Sequence, residues 1–293
     1  IDYYSFAINQ NGEEIWNSGE KEIIYYNTDF NGKLFGCWVD DLSNPNNLPG
    51  IEFNLDGVFI WEEPNNEFLH HDLIQLPNGN YMGIVEATQP GPVPIGEWTN
   101  LCVQLYGSLC DGITEFFPWV GDHIVEWDKD TGEVVWRWNV FDHYSMEDYD
   151  AIGGTWFEAF SQLRYDWTHV NAVWFDENEN AIYISSRNLS RITKISYPSG
   201  EIIWNMGHEM PSGDVGFGHN LGFSFQHSLQ ILDDGNILTL DNGTLSETFL
   251  NTNFPTTRAL EIQVTEIQNN LTATIFWEFV LEQSLYGSQS GNV

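Results

Sequence analysis

Three histidines stand in matching positions along the chain, and an arginine falls beside one of them. His71 lies eight residues before Gly79, and His227 lies eight residues before Gly235. Each glycine belongs to a turn phrase, Leu76-Pro77-Asn78-Gly79-Asn80 in the first case and Leu232-Asp233-Asp234-Gly235-Asn236 in the second. His169 heads a third strand of the same kind, which turns at the acidic loop 176–180 and returns through Ala181 to Arg187. In an antiparallel hairpin the first residue of one strand and the last of its partner lie at the same end, so Arg187 is expected beside His169. A lone histidine at a strand end is ordinarily a satisfied polar group, and equivalent positions also repeat for structural reasons. Three in register with an arginine suggest a site for a tetrahedral oxyanion, since guanidinium presents a planar fork of donors and imidazole N–H groups add to it. A three-histidine metal site is the alternative, against which the charge of Arg187 works. His70, His123, His143, His208 and His219 lack the register and read as structural or loop residues. His70 alternates with His71 and should face the other side of its strand.

The elements that must carry these residues announce themselves by repetition. One phrase of turn, alternating apolar residues and tryptophan recurs five times. It reads Asn11-Gly12-Glu13-Glu14-Ile15-Trp16, Asp56-Gly57 to Trp61, Thr131-Gly132 to Trp136, Ser199-Gly200 to Trp204, and a divergent copy without glycine from Asn269 to Trp277. With the second phrase around Gly79 and Gly235, each repeat holds two hairpin signals, because such turns need positive φ. Two hairpins make a four-stranded antiparallel sheet, and a ring of such sheets is a β-propeller. The expectation is an all-β single domain over 1–293, a β-propeller of about six four-stranded blades around an axial channel, with insertions near 88–121 and 141–167. The second insertion is expected over one mouth of the channel, where the three histidines and Arg187 would also point. Ile1 to Trp16 reads as the last hairpin of a blade and Ser288 to Val293 as the start of a first strand, so residues beyond 293 are expected to complete the last blade.

Composition narrows the function classes. The net charge is −34, from 43 acidic and 9 Lys or Arg residues, which would repel phosphate backbones and anionic headgroups, so no nucleic-acid partner is expected. No stretch approaches the roughly 20 apolar residues of a membrane span. Acidic loops such as Asp40-Asp41 and 176–180 can supply oxygen ligands for structural calcium, but neither matches a defined calcium loop, and no metal or cofactor is assigned. Cys102 and Cys110 lie close enough in sequence to staple a loop in an oxidising compartment, which leaves Cys37 unpaired. The triplets at Asn188, Asn242 and Asn270 fit the glycosylation pattern and carry little weight.

At these same residues the sequence resembles the arylsulfotransferase family, propellers that need no nucleotide sulfate donor. The resemblance is carried by His70-His71-Asp72 before the Gly79 turn, by Asp166-Trp167-Thr168-His169-Val170-Asn171, by Ser185-Ser186-Arg187, and by Gln226-His227 leading to Asp241-Asn242-Gly243. It implies that His227 attacks the sulfur of an aryl sulfate, that a phenolic acceptor discharges the sulfohistidine, and that His71, His169 and Arg187 bind the sulfuryl oxygens. Asn171, Trp167 and Asn242 then fall in the substrate-binding set, with Trp167, Phe223 and Phe225 available to stack on an aryl ring. The expected location is secreted, cell surface or periplasmic. Two other readings stay open: an extracellular propeller acting as a binding, adhesion or assembly module, and a quinoprotein propeller, which is weaker for want of an adjacent cysteine pair.

Overall fold

The computed structural model describes residues 5–19, 21–29, 31–39, 48–65, 67–289 and 291–292. Among these the chain is all-β, built from several antiparallel sheets with a few short helices. It divides into two compact units, Ile1–Glu86 with His123–Trp138, and Ala87–Asp122 with Asn139–Val293.

The first unit begins with a hairpin of β1 (Phe6–Ile8) and β2 (Glu14–Asn17). A four-stranded sheet follows in chain order: β3 (Ile23–Thr28), β4 (Leu34–Trp38), β5 (Gly50–Phe53) and β6 (Phe59–Glu62). The next sheet has the order β10-β9-β8-β7, from β7 (Leu69–Gln75), β8 (Tyr81–Gly91), β9 (Phe117–Trp127) and β10 (Val134–Asn139). Phe35, Leu69, Leu73, Tyr81, Val125 and Trp127 form a buried apolar cluster in this unit, and each fully buried Leu or Phe contributes roughly 1.5–3 kcal/mol.

In the second unit the sequence between β8 and β9 carries α1 (Thr99–Tyr106), whose Cys102 is disulfide-bonded to Cys110. The stretch 88–121 read as an insertion thus starts inside β8 and ends inside β9. The stretch 141–167 holds α2 (Val140–His143), α3 (Thr155–Gln162) and β11 (Tyr165–Asp166), which pairs parallel with β9. Helix α3 forms because Thr155, Trp156, Ala159 and Phe160 are buried on one face at helical spacing. The buried Asp150 carboxylate receives the backbone amide and hydroxyl of Thr155 at the helix start. Two four-stranded sheets complete the unit. One is β12 (Val170–Asp176), β13 (Ala181–Ser186), β14 (Arg191–Ser196) and β15 (Ile202–Gly207). The other is β16 (His227–Ile231), β17 (Ile237–Asp241), β18 (Arg258–Ile267) and β19 (Asn270–Val280), with α4 (Ser246–Phe249) between β17 and β18. Inward residues of both sheets, among them Tyr183, Ile192, Leu229, Ile237 and Leu260, share one core.

The two turn phrases land as their chemistry dictates. Gly57, Gly132 and Gly200 turn the third strand of a sheet into the fourth at φ 69°, 70° and 79°. In the copy that lacks glycine, Gln268 and Asn269 take the left-handed conformation instead, at φ 53° and 63°. Gly79 and Gly235 close the hairpin between first and second strands.

One local expectation fails. His70 and His71 do not face opposite sides, because β7 is bulged: Leu69 pairs with Val85 and Leu73 with Gly83, so two extra residues bow out between them. His71 takes φ 64° there, and the two rings meet edge to face with their Nδ1 atoms 2.7 Å apart. Asp40-Asp41 lies outside the described residues. The loop 176–180 ties its own hairpin, Glu179 accepting from the Tyr183 hydroxyl at 2.8 Å and pairing with Lys194. Asn188 and Asn242 are buried, which removes them as glycosylation sites. Among the described residues of 288–293 there is no strand. No helix among the described residues is long and apolar enough to cross a membrane.

Candidate active site

The turn into β12 is fixed from below. The buried Asp122 carboxylate accepts from the Thr168 hydroxyl and from the Val170 amide, so the residue between them is forced into an unusual backbone. That residue is His169, at φ 48°. Its carbonyl accepts the Arg187 amide at 3.2 Å, and the Thr168 carbonyl accepts the Asn188 amide at 3.2 Å, which sets Arg187 beside His169 at the end of β13. The His169 ring donates through Nδ1 to Asp166 Oδ2 at 2.5 Å.

His227 opens β16 and is held from several directions. The preceding Gln226 donates through Nε2 to Ser185 Oγ and to the carbonyls of Ser186 and Arg191, and its own carbonyl accepts Asn171 Nδ2 at 2.8 Å. Left-handed residues flank the histidine, Phe225 at φ 55° and Ser228 at φ 62°, and the register of β16 slips between His227 and Gln230. The ring Nδ1 lies 2.7 Å from Asn242 Oδ1 and 3.2 Å from the Phe225 carbonyl. Asn242 Nδ2 is engaged by the Gly287 carbonyl at 2.7 Å, so its oxygen faces the imidazole. Both groups at Nδ1 are acceptors. The proton of the neutral ring therefore sits on Nδ1, and the lone pair is on Nε2. Beneath this arrangement Asp241 accepts the amides of Ser224 and Gly243 and pairs with Arg258 through Nε at 2.9 Å and Nη2 at 2.6 Å. One buried ion pair thus anchors both the loop before His227 and the loop carrying Asn242.

The electrostatics favour an uncharged imidazole at 227. Burial pushes His227 from 6.5 to about 4, the charges of Arg187 and His169 push the same way, and the hydrogen bonds to Asn242 and Phe225 partly oppose them. Ring nitrogens of His169 and His227 lie within 4.8 Å of each other. The Arg187 guanidinium stacks 4.6 Å over the Phe225 ring and donates through Nη1 to Asn188 Oδ1 at 2.7 Å. Burial lowers its pKa, opposed by the carboxylates of Asp166, Glu158 and Asp150. A nucleophilic lone pair, a guanidinium and an imidazole backed by a carboxylate therefore occupy one neighbourhood. Such a set can receive an anionic group at Nε2 and stabilise charge on its oxygens.

Within the second unit the structure brings together His227, His169, Arg187 and Asn242. Asn171 serves as a strut, since it is buried and its Nδ2 holds the Gln226 carbonyl. Trp167 corrects the sequence reading: it has no exposed surface, its indole N–H donates to the Asp148 carbonyl, and Trp119 and Phe141 pack on it, so it offers no face to an aryl ring. Phe223 is equally buried. His71 belongs to the first unit. Sequence reasoning missed Asp166 as the partner of His169, although its spacing of three residues was visible, and missed Asp122, whose place 46 residues before Thr168 gives no local signal.

A family model described as Arylsulfotransferase (ASST) matches residues 114–293, more than half of the chain. No curated protein matches it. Among solved structures, a protein of unknown function from Bacteroides caccae aligns over 98% of this chain and 78% of its own, at 10% identity and TM-score 0.53, which shows a shared fold. Virginiamycin B lyase from Staphylococcus aureus aligns over 93% of this chain and 63% of its own, at 10% identity and TM-score 0.42. The Dos1 propeller aligns over 94% and 60%, at 8% identity and TM-score 0.38.

Proposed function

Because the chain belongs to the arylsulfotransferase family, we propose that it moves a sulfuryl group from an aryl sulfate to a phenolic acceptor through a sulfohistidine on His227, without a nucleotide sulfate donor. The observation that carries this reading is the His227 ring: buried, neutral down to about pH 4, protonated on Nδ1 and with its lone pair on Nε2.

In the first half-reaction Nε2 attacks sulfur, the N–S bond forms, and the ester S–O bond breaks with its electron pair leaving on the phenolate oxygen. Arg187 and His169 bind the sulfuryl oxygens, on which charge is spread in the transition state. His169, backed by Asp166, exchanges the proton that the departing phenolate needs and the incoming phenol gives up. In the second half-reaction the acceptor oxygen attacks sulfur and the N–S electron pair returns to Nε2. His71 joins the sulfuryl-binding set in this proposal on its sequence register alone. We read the four-stranded sheets as blades of a β-propeller of about six, supported by the repeated pair of hairpins. The compartment is read as secreted, cell surface or periplasmic, which the Cys102–Cys110 bridge supports.

The test is the intact mass of the protein after mixing with an aryl sulfate and no acceptor. The wild type is expected to gain roughly 80 Da and His227→Ala nothing, as a covalent intermediate requires. No adduct and no phenol release with several donors, or an adduct that survives His227→Ala, overturns the assignment.

A further inference from the structure

The side-chain amide of Asn242 can face His227 in two ways, and they leave the ring with opposite chemistry. With Oδ1 toward the imidazole, 2.7 Å from Nδ1, the proton stays on Nδ1 and the lone pair on Nε2. With Nδ2 turned there instead, Nδ1 would have to accept, and the proton would move to Nε2. The Phe225 carbonyl supports the first arrangement but is the longer contact, at 3.2 Å. The two ends of an amide have nearly the same shape, so its other partners decide which one faces the ring.

A closed ring of hydrogen bonds built on Thr257 makes that choice. Thr257 is buried, lies just before β18, and stands across from Asn242, next to the paired Asp241 and Arg258. Its hydroxyl donates to the Asn242 carbonyl at 3.2 Å and accepts the Gly287 amide at 3.1 Å. The Gly287 carbonyl then accepts Asn242 Nδ2 at 2.7 Å, which closes the ring. The Thr257 carbonyl accepts the Leu281 amide at 2.9 Å, so one residue ties down the segment 281–287 at both ends. The following residue, Ser288, offers its carbonyl to Arg187 Nη2 at 3.4 Å, and the same segment thus reaches the guanidinium. A hydroxyl suits this place because it donates one proton and accepts at the same time, and both capacities are used. Without it the Gly287 amide and the Asn242 carbonyl each lose a partner, and the Gly287 carbonyl is no longer held against Nδ2.

We propose that Thr257 is a positioning residue for His227: its hydroxyl, through Gly287, locks the Asn242 amide with oxygen toward the ring and so keeps the lone pair on Nε2. The kinetic part of this inference rests on the sulfotransfer reading, whereas the choice of tautomer does not. The experiment is nitrogen NMR of the full chain labelled at histidine, with the His227 signals identified by their loss in His227→Gln. Thr257→Val keeps the branched shape and removes the hydroxyl, and Thr257→Ser keeps the hydroxyl. Gly287→Pro removes the amide donor from the other side of the ring, and the preceding Tyr286, at φ −58° and ψ 125°, already has the extended backbone favoured before proline. Gly287→Ala keeps that donor, and a Cβ there meets nothing within 4 Å. Wild type, Thr257→Ser and Gly287→Ala are expected to show the Nδ1–H tautomer, and Thr257→Val and Gly287→Pro to move toward the Nε2–H pattern. In turnover the latter two are expected to lower kcat for an aryl sulfate roughly tenfold with KM within about twofold, because fewer molecules hold a usable lone pair while the groups that bind the sulfate remain. If Thr257→Val does not fold, Gly287→Pro and its alanine control decide alone. Wild-type ring shifts in Gly287→Pro and in folded Thr257→Val, an equal loss in Thr257→Ser, or an Nε2–H ring in the wild type overturns the proposal. Shifted tautomers in a chain that forms no sulfuryl adduct sink sulfotransfer and leave the positioning role standing, whereas unchanged tautomers in a chain that forms the adduct sink the positioning role alone.

Discussion

Asn242→Asp probes the account of His227 most directly. His227 titrates at about 4 against an ordinary 6.5, chiefly because burial disfavours the imidazolium. A gap of roughly 2.5 pH units at about 1.4 kcal/mol each favours the neutral ring by about 3.5 kcal/mol. The substitution places a full negative charge where Asn242 Oδ1 now sits, 2.7 Å from Nδ1. An opposite charge at such range moves a pKa by roughly 1–3 units toward the charged form, here upward. In the proposed reaction the nucleophile is the neutral ring, so the rate should fall as pH drops through its pKa. The acid limb of kcat/KM, which reports the free enzyme, is therefore expected near pH 4 in the wild type and at about pH 5–7 in Asn242→Asp. The His227 ring-proton shift, followed by NMR against pH, checks the same number without turnover. Thermal melts run alongside, because aspartate cannot donate to the Gly287 carbonyl as Asn242 does. A wild-type limb near 6.5, or a variant limb at or below that of the wild type, refutes the reasoning.

Two further outcomes are expected. Arg187→Ala should lower kcat/KM for the aryl sulfate by about 10²–10³-fold, as loss of a preorganised donor to a transition-state oxyanion does, with Arg187→Lys recovering only part because a point charge replaces a fork. The same alanine variant should move the acid limb upward, since the Arg187 charge is one of the forces holding His227 low. Replacing Cys102 and Cys110 together by serine opens a bridge that spans eight positions, and should cost about 2–3 kcal/mol in urea unfolding on the chain-entropy model. A loss well under about 1 kcal/mol would show that the loop is already ordered without the bond.

The hairpins were readable because their turns need positive φ, and Asn-Gly, Asp-Gly and Ser-Gly advertise that need locally. The position of Arg187 beside His169 followed from the same logic, since strand lengths fix which ends meet. Bulges escaped. Nothing in His70-His71-Asp72 shows that β7 must bow there, and strict alternation consequently placed the two rings on opposite sides. Trp167 was misread because a tryptophan beside a functional histidine looks the same in sequence whether it faces a ligand or a core. Its burial depends on Trp119, Phe141 and Asp148, which sequence places far away or in an insertion. The resemblance puts Asn171 and Asn242 among the substrate contacts, and what local sequence does not show is that their side-chain amides also hold the Gln226 carbonyl, His227 Nδ1 and the Gly287 carbonyl. Helix α3 was hidden inside a stretch rich in aromatics and acids, where only the spacing of its four buried residues signals a helix.

The left-handed backbone at His169 has a consequence for how this protein could be improved. A residue with a side chain pays about 1–2 kcal/mol to adopt a conformation that glycine enters freely. On the role proposed for His169, thermal robustness and turnover therefore pull residue 169 in opposite directions. A selection that scores only survival at high temperature would accumulate glycine there, raise the melting point, and discard the imidazole that Asp166 holds. If that role holds, libraries built on this scaffold need to be sorted on both properties at once, so that stability is not gained by discarding the imidazole.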